Sequence, residues 1–260
     1  MELAGSRNAF ALSRALPIER SAPAEPLGIR VVSQLVELIV TGRVPVGGFL
    51  PTEVALCDQF GVSRTVIRES AKRLQEKGLI GVTRGRGMFV QPMSSWNMLD
   101  PVVLAAFINN DDSLGTFDEL SLVRGTLEAL MAGMAASSRT ESDLDTLHSK
   151  LQRMRETVTD DAVFREADVA FHYAVMEMSD NHLAANIARS LFSRARVSPR
   201  FDGITHEGDL AATLAEHEQV YAAIEAGASE QARIVMLNHI QVAWSRRRLP
   251  RSVETPDSGI

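Results

Sequence analysis

One aspartate and three histidines in the second half of the sequence have the types and spacing of a metal site. Asp168 and His172 are four residues apart and so share a helix face, while His217 and His239 continue the apolar stripes of two other predicted helices. Four polar groups on three helices are expected to meet inside a bundle, where they must bind each other, water or a metal. Three imidazoles and one carboxylate suit a divalent ion, zinc first and nickel or manganese next.

The same set of side chains would also suit Lewis-acid chemistry in a metal-dependent hydrolase. The sequence contains no His-Glu-x-x-His motif, and helical geometry turns Glu216 and Glu218 away from the face of His217, which leaves no obvious base. We therefore predict a binding site and not an enzyme. The other three histidines show no such convergence and are predicted to be surface residues: His148, His182 and His206.

A second group of side chains is basic and lies near the start of the chain. Residues 27–90 hold nine Lys/Arg and five Asp/Glu, whereas residues 91–260 hold fifteen and twenty-five, so the overall formal charge of -6 conceals one basic block. Only this block is suited to meet nucleic-acid phosphates.

The elements that position these basic residues form a winged helix-turn-helix pattern. Apolar spacing predicts a first helix from about Leu27 to Thr41, and Thr52 and Ser63 are predicted to cap the second and third helices. Two short apolar stretches around the glycine-rich segment 83–87 predict a β-hairpin, the wing. The first turn of the third helix would enter the major groove, where arginine binds guanine O6 and N7. The complete arrangement favours DNA binding over a merely solvated basic surface.

Helical periodicity dominates the rest of the chain and predicts a mainly α protein, in which an antiparallel bundle of about seven helices follows the winged domain. Two of the predicted buried stripes are Leu120, Val123, Leu127, Leu130 and Met134, and Leu183, Ile187 and Leu191. The predicted boundaries are a flexible tail over 1–26, the winged domain over 27–91, a linker over 92–99, the helical domain over 100–247 and a flexible tail over 248–260.

Cysteine usage and the start of the chain indicate the compartment. Cys57 is the only cysteine and cannot form an internal disulfide, and no apolar signal segment or membrane span is evident. We therefore predict a cytoplasmic protein that has no membrane partner.

Three sequence motifs of the first domain resemble the GntR family of transcriptional regulators. They are Leu50-Pro51-Thr52-Glu53, then Phe60-Gly61-Val62-Ser63-Arg64-Thr65-Val66-Ile67-Arg68-Glu69, then Gly78-Leu79-Ile80. The resemblance implies that six residues contact operator DNA: Ser63, Arg64, Thr65, Arg68, Arg84 and Gly85. One position departs from the family, because Val54 stands where an arginine often reaches DNA. Operator preference is therefore not transferred from relatives.

The C-terminal part is similar to the effector domain, named FCD, of the FadR subfamily, over about residues 100–245. The matching positions are Arg124-x3-Glu128, Asp168-x3-His172, Asn181, Glu216-His217 and His239. The resemblance implies a helical, homodimerising domain that binds a small carboxylate effector, often through a metal held by Asp168, His172, His217 and His239.

By the same resemblance Arg124 takes the carboxylate-binding role, and a guanidinium does match a carboxylate in two bonds. The alternative is a structural salt bridge to Glu128, one turn along the helix. Arg194, one turn beyond Ser190, is a candidate second anion contact.

The segment Trp96-Asn97-Met98-Leu99-Asp100-Pro101 resembles subfamily members that respond to sugar acids such as galactonate, although Trp96 could instead pack at the domain junction. The leading hypothesis is thus a repressor that binds double-stranded operator DNA and is released by a sugar acid or hydroxy acid. A metal-sensing repressor and a metal-dependent hydrolase are the alternatives.

Overall fold

A computed structural model describes residues 26–198 and 208–247, which form ten α-helices, a short 3-10 helix and one β-hairpin. The predicted tails, except for Pro26, and His206 lie outside these residues. The winged part comprises α1 (Leu27–Val40), α2 (Glu53–Phe60), α3 (Arg64–Glu76), β1 (Ile80–Thr83) and β2 (Gly87–Val90). The bundle comprises α4 (Pro101–Asn110), α5 (Gly115–Ser138), α6 (Glu141–Thr157), α7 (Asp161–Met178), α8 (His182–Arg196), α9 (Asp209–Glu225) and α10 (Ser229–Arg247).

The winged part forms as its sequence predicts. The apolar face of α1 packs against the buried side of α3, and Ile80 of β1 pairs with Val90 of β2 in an antiparallel ladder. The side chains of Thr52 and Ser63 accept hydrogen bonds from backbone N–H groups three residues on, which caps α2 and α3. Gly61 connects the two helices with a φ of 64°, a left-handed conformation that favours glycine.

The seven helices α4 to α10 confirm the predicted bundle. Its largest core lies between α5, α6, α7, α9 and α10, and includes Met154, Phe164, Phe171 and Met236. A smaller cluster joins α4 to α5 and α8 through Leu104, Ile108, Phe117, Leu191 and Phe192.

The stripe predicted for α5 is right only in part: Leu120 and Leu127 pack against the smaller cores, but the stripe is not the face that is most buried. Val123 is 43% exposed, and the fully buried face is made largely of small residues, which are Gly125, Ala129, Ala132, Ala135 and Ala136. The reason is close packing on several sides: α5 contacts α7, α8, α9 and α10, and a Cβ built on Gly125 would lie 3.0 Å from Leu237 Cδ1. Leu183 of the second stripe is also exposed, at 74%.

Residues 92–99, predicted as a linker, pack against the winged part instead of extending away from it. The indole Nε1 of Trp96 donates to the backbone oxygen of Gln91, and its ring lies 5.9 Å from that of Phe107 on α4. Gly78 has a φ of 72°, and a Cβ there would lie 1.9 Å from the backbone oxygen of Ser95. Trp96 therefore packs at the junction between the winged part and α4, as the alternative reading of this segment predicts.

Candidate functional site

The structure brings Asp168, His172, His217 and His239 together inside the bundle. Asp168 and His172 lie on α7, His217 on α9 and His239 on α10, and all four are buried. One potential ligand atom from each lies within 4.8 Å of the other three. The set could hold a single metal ion.

Hydrogen bonds fix which ring nitrogen of each histidine faces the centre. Nδ1 of His172 lies 2.5 Å from a carboxylate oxygen of Glu128, and Nδ1 of His239 lies 2.8 Å from one of Glu216. Nδ1 of His217 lies 2.8 Å from the backbone oxygen of Thr213. All three partners are acceptors, so each Nδ1 donates and each Nε2 of a neutral ring presents its lone pair to the others.

This arrangement of lone pairs fits a cation. The Nε2 atoms of His172 and His239 are 3.3 Å apart, and Nε2 of His217, which lies 3.3 Å from Asp168 Oδ1, makes no hydrogen bond within the described part of the chain. Burial, and then the proximity of His239, lower the pKa of His217 well below its usual value. Burial likewise lowers the pKa of His239. Both shifts favour the neutral form of these rings, the form that binds a metal.

Two buried or half-buried carboxylates support the histidines from outside this centre. Burial alone raises the pKa of Glu128, but Arg124 and His172 outweigh burial and lower that pKa to about 2. Arg246 and His239 do the same for Glu216, whose pKa is also about 2. Both carboxylates are ionised at neutral pH, and each orients one histidine of the set, an arrangement also common around metal sites.

Arg124 forms an ion pair with Glu128, which is the alternative role predicted for it from the sequence. This pair does not occupy every donor of the guanidinium. Its Nε is 2.5 Å from Glu128 Oε1, and its guanidinium carbon lies 3.7 Å above the centre of the Phe192 ring. Nη2 is buried and has no hydrogen-bond partner among the described residues. The same is true of the hydroxyl oxygen of Ser121.

The two residues that carry these unpaired atoms, Ser121 and Arg124, are among those that line one cavity between α5, α8 and α10. Its volume is about 40 Å³, enough for more than one water-sized group, and most of its wall is apolar, including Phe117, Phe192 and Trp244. A mostly apolar pocket whose lining includes a few polar residues is a common form of small-molecule site.

The other predicted residues of this half lie elsewhere. Arg194 is exposed on α8 and does not belong to the described lining of the cavity. Asn181 caps α8, where its side chain accepts from the backbone N–H of Ala184. His148 and His182 are exposed.

Sequence reasoning missed the role of Glu216. The expectation that it turns away from the face of His217 overlooked a third helix, because α10 packs against α9 and brings His239 and Arg246 to the Glu216 carboxylate. An acidic residue beside a predicted ligand, facing a helix that carries another predicted ligand, is the signal that could have revealed it.

The predicted DNA-contacting residues lie on two elements of the winged part. Ser63, Arg64, Thr65 and Arg68 are exposed at the start of α3, and Arg84 and Gly85 are exposed at the tip of the wing. A groove of about 490 Å³ separates α3 from the wing.

Two contacts position arginines beside this groove. Arg68 Nε lies 3.0 Å from Glu53 Oε2, so the acidic residue that begins α2 holds a predicted base-reading side chain. Arg86 lies over the ring of Phe49, 5.7 Å from its centre. Val54, where relatives often carry arginine, is 50% exposed on α2.

Within residues 26–198 and 208–247, none of the helices combines the length and apolar content that crossing a bilayer would need.

Comparison with known proteins agrees with the division of the chain into a winged part and a helical bundle. Residues 27–90 match the family described as bacterial regulatory proteins, gntR family, and residues 119–242 match the FCD domain. The galactonate operon transcriptional repressor of Escherichia coli is 35% identical over 223 residues, which cover 85% of this chain and 95% of the repressor. The transcriptional regulator LutR of Bacillus subtilis is 29% identical over 207 residues, covering 78% and 93% of the two chains.

Among solved structures, that of Lar, which controls expression of the Listeria monocytogenes agr system, has a TM-score of 0.56. It covers 87% of this chain and 98% of its own at 19% identity, which supports the fold alone. The curated relatives are regulators, so the prediction that the protein is not an enzyme is confirmed and the hydrolase alternative falls. The chain belongs to the GntR family of transcriptional regulators, in the FadR subfamily that carries an FCD domain.

Proposed function

We propose that the protein is a repressor that binds double-stranded operator DNA as a homodimer, and releases it when a small organic acid binds the C-terminal domain beside a divalent metal ion. The unpaired Nη2 of Arg124 carries the acid-binding part of this proposal. A buried charged donor without a partner is costly, and a carboxylate is its natural complement. Nε of the same guanidinium donates to Glu128, which contacts His172 of the histidine set.

Asp168, His172, His217 and His239 would hold the metal ion, with zinc as the first choice and nickel or manganese as alternatives. When bound, the ion would supply positive charge for an oxygen of the acid. Galactonate is the first acid to test, because the E. coli relative is the repressor of a galactonate operon. The wider class is sugar acids and hydroxy acids.

A homodimer would place two recognition helices in successive major-groove faces of one operator, with Ser63, Arg64, Thr65 and Arg68 toward the bases and Arg84 and Gly85 toward the backbone or minor groove. Leu122 and Val123 on α5 are 59% and 43% exposed, which is consistent with contact between two copies. Operator binding would place the protein in the cytoplasm, with the chromosome.

Helix α4 offers a physical route from the acid to the DNA. On one side Val103 is buried in the core of the winged part, and on the other Leu104 and Ile108 pack with Phe117 and Phe192, which also line the cavity. A shift of the cavity wall would therefore move α4 against the winged part.

The N-terminus of α4 is also tied directly to the recognition helix. Asp100 caps α4 through the backbone N–H groups of Val102 and Val103, and its other oxygen lies 2.5 Å from Nζ of Lys77, directly after α3. A displacement of α4 would thus reach the end of the helix that reads DNA.

The acid site is tested by Arg124→Met, with zinc supplied in excess. We expect galactonate affinity, measured by calorimetry, to fall at least tenfold, because a charge-assisted hydrogen bond contributes about 1.5–3 kcal/mol. Arg124→Lys keeps the charge without the planar fork and should give an intermediate loss. Unchanged galactonate affinity in Arg124→Met would remove Arg124 from the site.

The route through α4 is tested by Asp100→Ser, which keeps a capping side chain but loses the contact with Lys77. We expect operator affinity without acid to stay within threefold of the wild type. The factor by which galactonate weakens operator binding should fall at least threefold, because the coupling runs through this contact. Lys77→Met should give the same reduction. A normal response to galactonate in both variants would show that this contact does not transmit the signal.

Metal sensing is distinguished by adding zinc and galactonate separately while operator binding is followed. Release by zinc alone would make the metal itself the effector. The proposal expects release only when the acid is added.

A further inference from the structure

The carboxylate of Glu128 contacts both parts of the proposed effector site, Arg124 at the cavity and His172 of the histidine set. It is 1% exposed, and its two oxygens divide their partners: Oε1 accepts from Arg124 Nε and Oε2 accepts from His172 Nδ1. The Glu128 carboxylate thus connects Arg124, which lines the cavity, to His172, whose Nε2 faces the other three potential ligands.

The Glu216 carboxylate provides an internal comparison within the same site. It accepts from Nδ1 of His239 and from both Nη atoms of Arg246, so it also forms an arginine, carboxylate and histidine chain. Nη2 of Arg246, however, also donates to Thr213, whereas Nη2 of Arg124 has no partner in the described ranges. Of these two arginines, only Arg124 has a buried donor left for a ligand.

We propose that Glu128 is a positioning residue that couples metal affinity to the state of Arg124, whereas Glu216 only orients His239. The inference rests on the metal site of the proposed function. While Arg124 is paired with Glu128, the guanidinium neutralises that carboxylate. When an anion binds Nη2, it takes up part of the guanidinium charge, so more of the negative charge of Glu128 acts on His172 and on the ion that His172 would help to hold. Acid binding and metal binding then strengthen each other, because coupling between two sites is reciprocal.

The experiment needs only a metal and not the natural acid. Protein stripped of metal by a chelator is titrated with Co²⁺, and the visible absorption of the bound ion reports affinity and coordination. Glu128→Gln and Glu216→Gln should each weaken Co²⁺ binding about tenfold, the lower end of the loss seen when the partner of a ligand histidine is changed. Arg124→Met should tighten Co²⁺ binding at least threefold.

The distinguishing result is the double variant. In the Glu128→Gln background, Arg124→Met should change the Co²⁺ dissociation constant by less than about 1.5-fold, because the connecting charge is gone. In the Glu216→Gln background, Arg124→Met should keep its full threefold effect. An Arg124→Met effect of equal size in all three backgrounds overturns the inference.

Folding is checked by thermal unfolding of each metal-free variant. If Glu128→Gln alone does not fold, the double variant Arg124→Met/Glu128→Gln replaces it, because it leaves neither charge buried without a partner. It should bind Co²⁺ at least tenfold more weakly than Arg124→Met, and equal affinity overturns the inference. Failure of the wild type to bind Co²⁺ would overturn the metal site and this inference together. A third outcome is that the wild type binds Co²⁺ and His217→Ala does not, while the effects of Arg124→Met and Glu128→Gln on the dissociation constant are additive. That outcome would overturn only the inference and leave the metal site standing.

Discussion

Replacing Arg64 with alanine should weaken binding to the operator by about 1–3 kcal/mol, which is roughly 5- to 150-fold, because arginine in the first turn of a recognition helix binds guanine in two bonds. Arg64 is exposed directly after the Ser63 cap. The duplex is obtained by selection from a random library, and affinity is measured by fluorescence anisotropy at one fixed salt concentration, since phosphate contacts make binding depend on salt.

The matched control for this prediction is Arg73→Ala. Arg73 is also exposed on α3, but it lies nine residues on and therefore on the opposite side of the helix. The Arg73→Ala substitution removes the same charge from the same helix and should change operator affinity less than threefold. Binding of Arg64→Ala to a duplex of random sequence should also fall less than binding to the selected one. Equal losses in the two variants would mean that Arg64 contributes charge but no base contact.

Replacing His217 with alanine should abolish metal binding at micromolar metal concentrations, with a loss of at least 100-fold in zinc affinity. His217 is fully buried, and its Nε2, which lies 3.3 Å from Asp168 Oδ1, has no hydrogen-bond partner among the described residues. Zinc content after dialysis, measured by mass spectrometry, checks this. His148→Ala, which alters an exposed histidine, should retain the metal.

The same variants should differ in how zinc changes their thermal stability. A ligand present at 100 times its dissociation constant stabilises the folded state by about 2.7 kcal/mol, so wild type and His148→Ala should show a raised midpoint of unfolding when zinc is added. The midpoint of His217→Ala should not move. A full zinc-dependent rise in His217→Ala would place the metal elsewhere.

Local sequence patterns were sufficient to predict the winged part and the meeting of the four polar side chains. Caps at Thr52 and Ser63 depend on hydrogen bonds within four residues, and a hairpin depends on its own turn. The convergence of Asp168 and His172 with two distant histidines could also be predicted, because each lies on the apolar stripe of its helix and the stripes of α7, α9 and α10 face one core.

Features that depend on the distance between helices could not be predicted in this way. Gly125 and the alanines of α5 are buried because α10 approaches closely, and periodicity alone assigns that face to the larger Leu and Val residues. The partners of Glu128 and Glu216 come from helices distant in sequence. Helix α4 contacts both the winged part and α8, a position that no spacing within its own ten residues specifies.

The proposed function requires that an acid bound in the C-terminal domain controls DNA binding by the winged domain. Its most direct test is titration of the zinc-loaded wild type with the selected operator duplex, with and without saturating galactonate, followed by related sugar acids and hydroxy acids. We predict that at least one of these acids raises the operator dissociation constant about 5- to 150-fold, the usual range of coupling between two sites. Operator affinity that stays unchanged across the whole panel, in protein shown to contain zinc, would contradict the account.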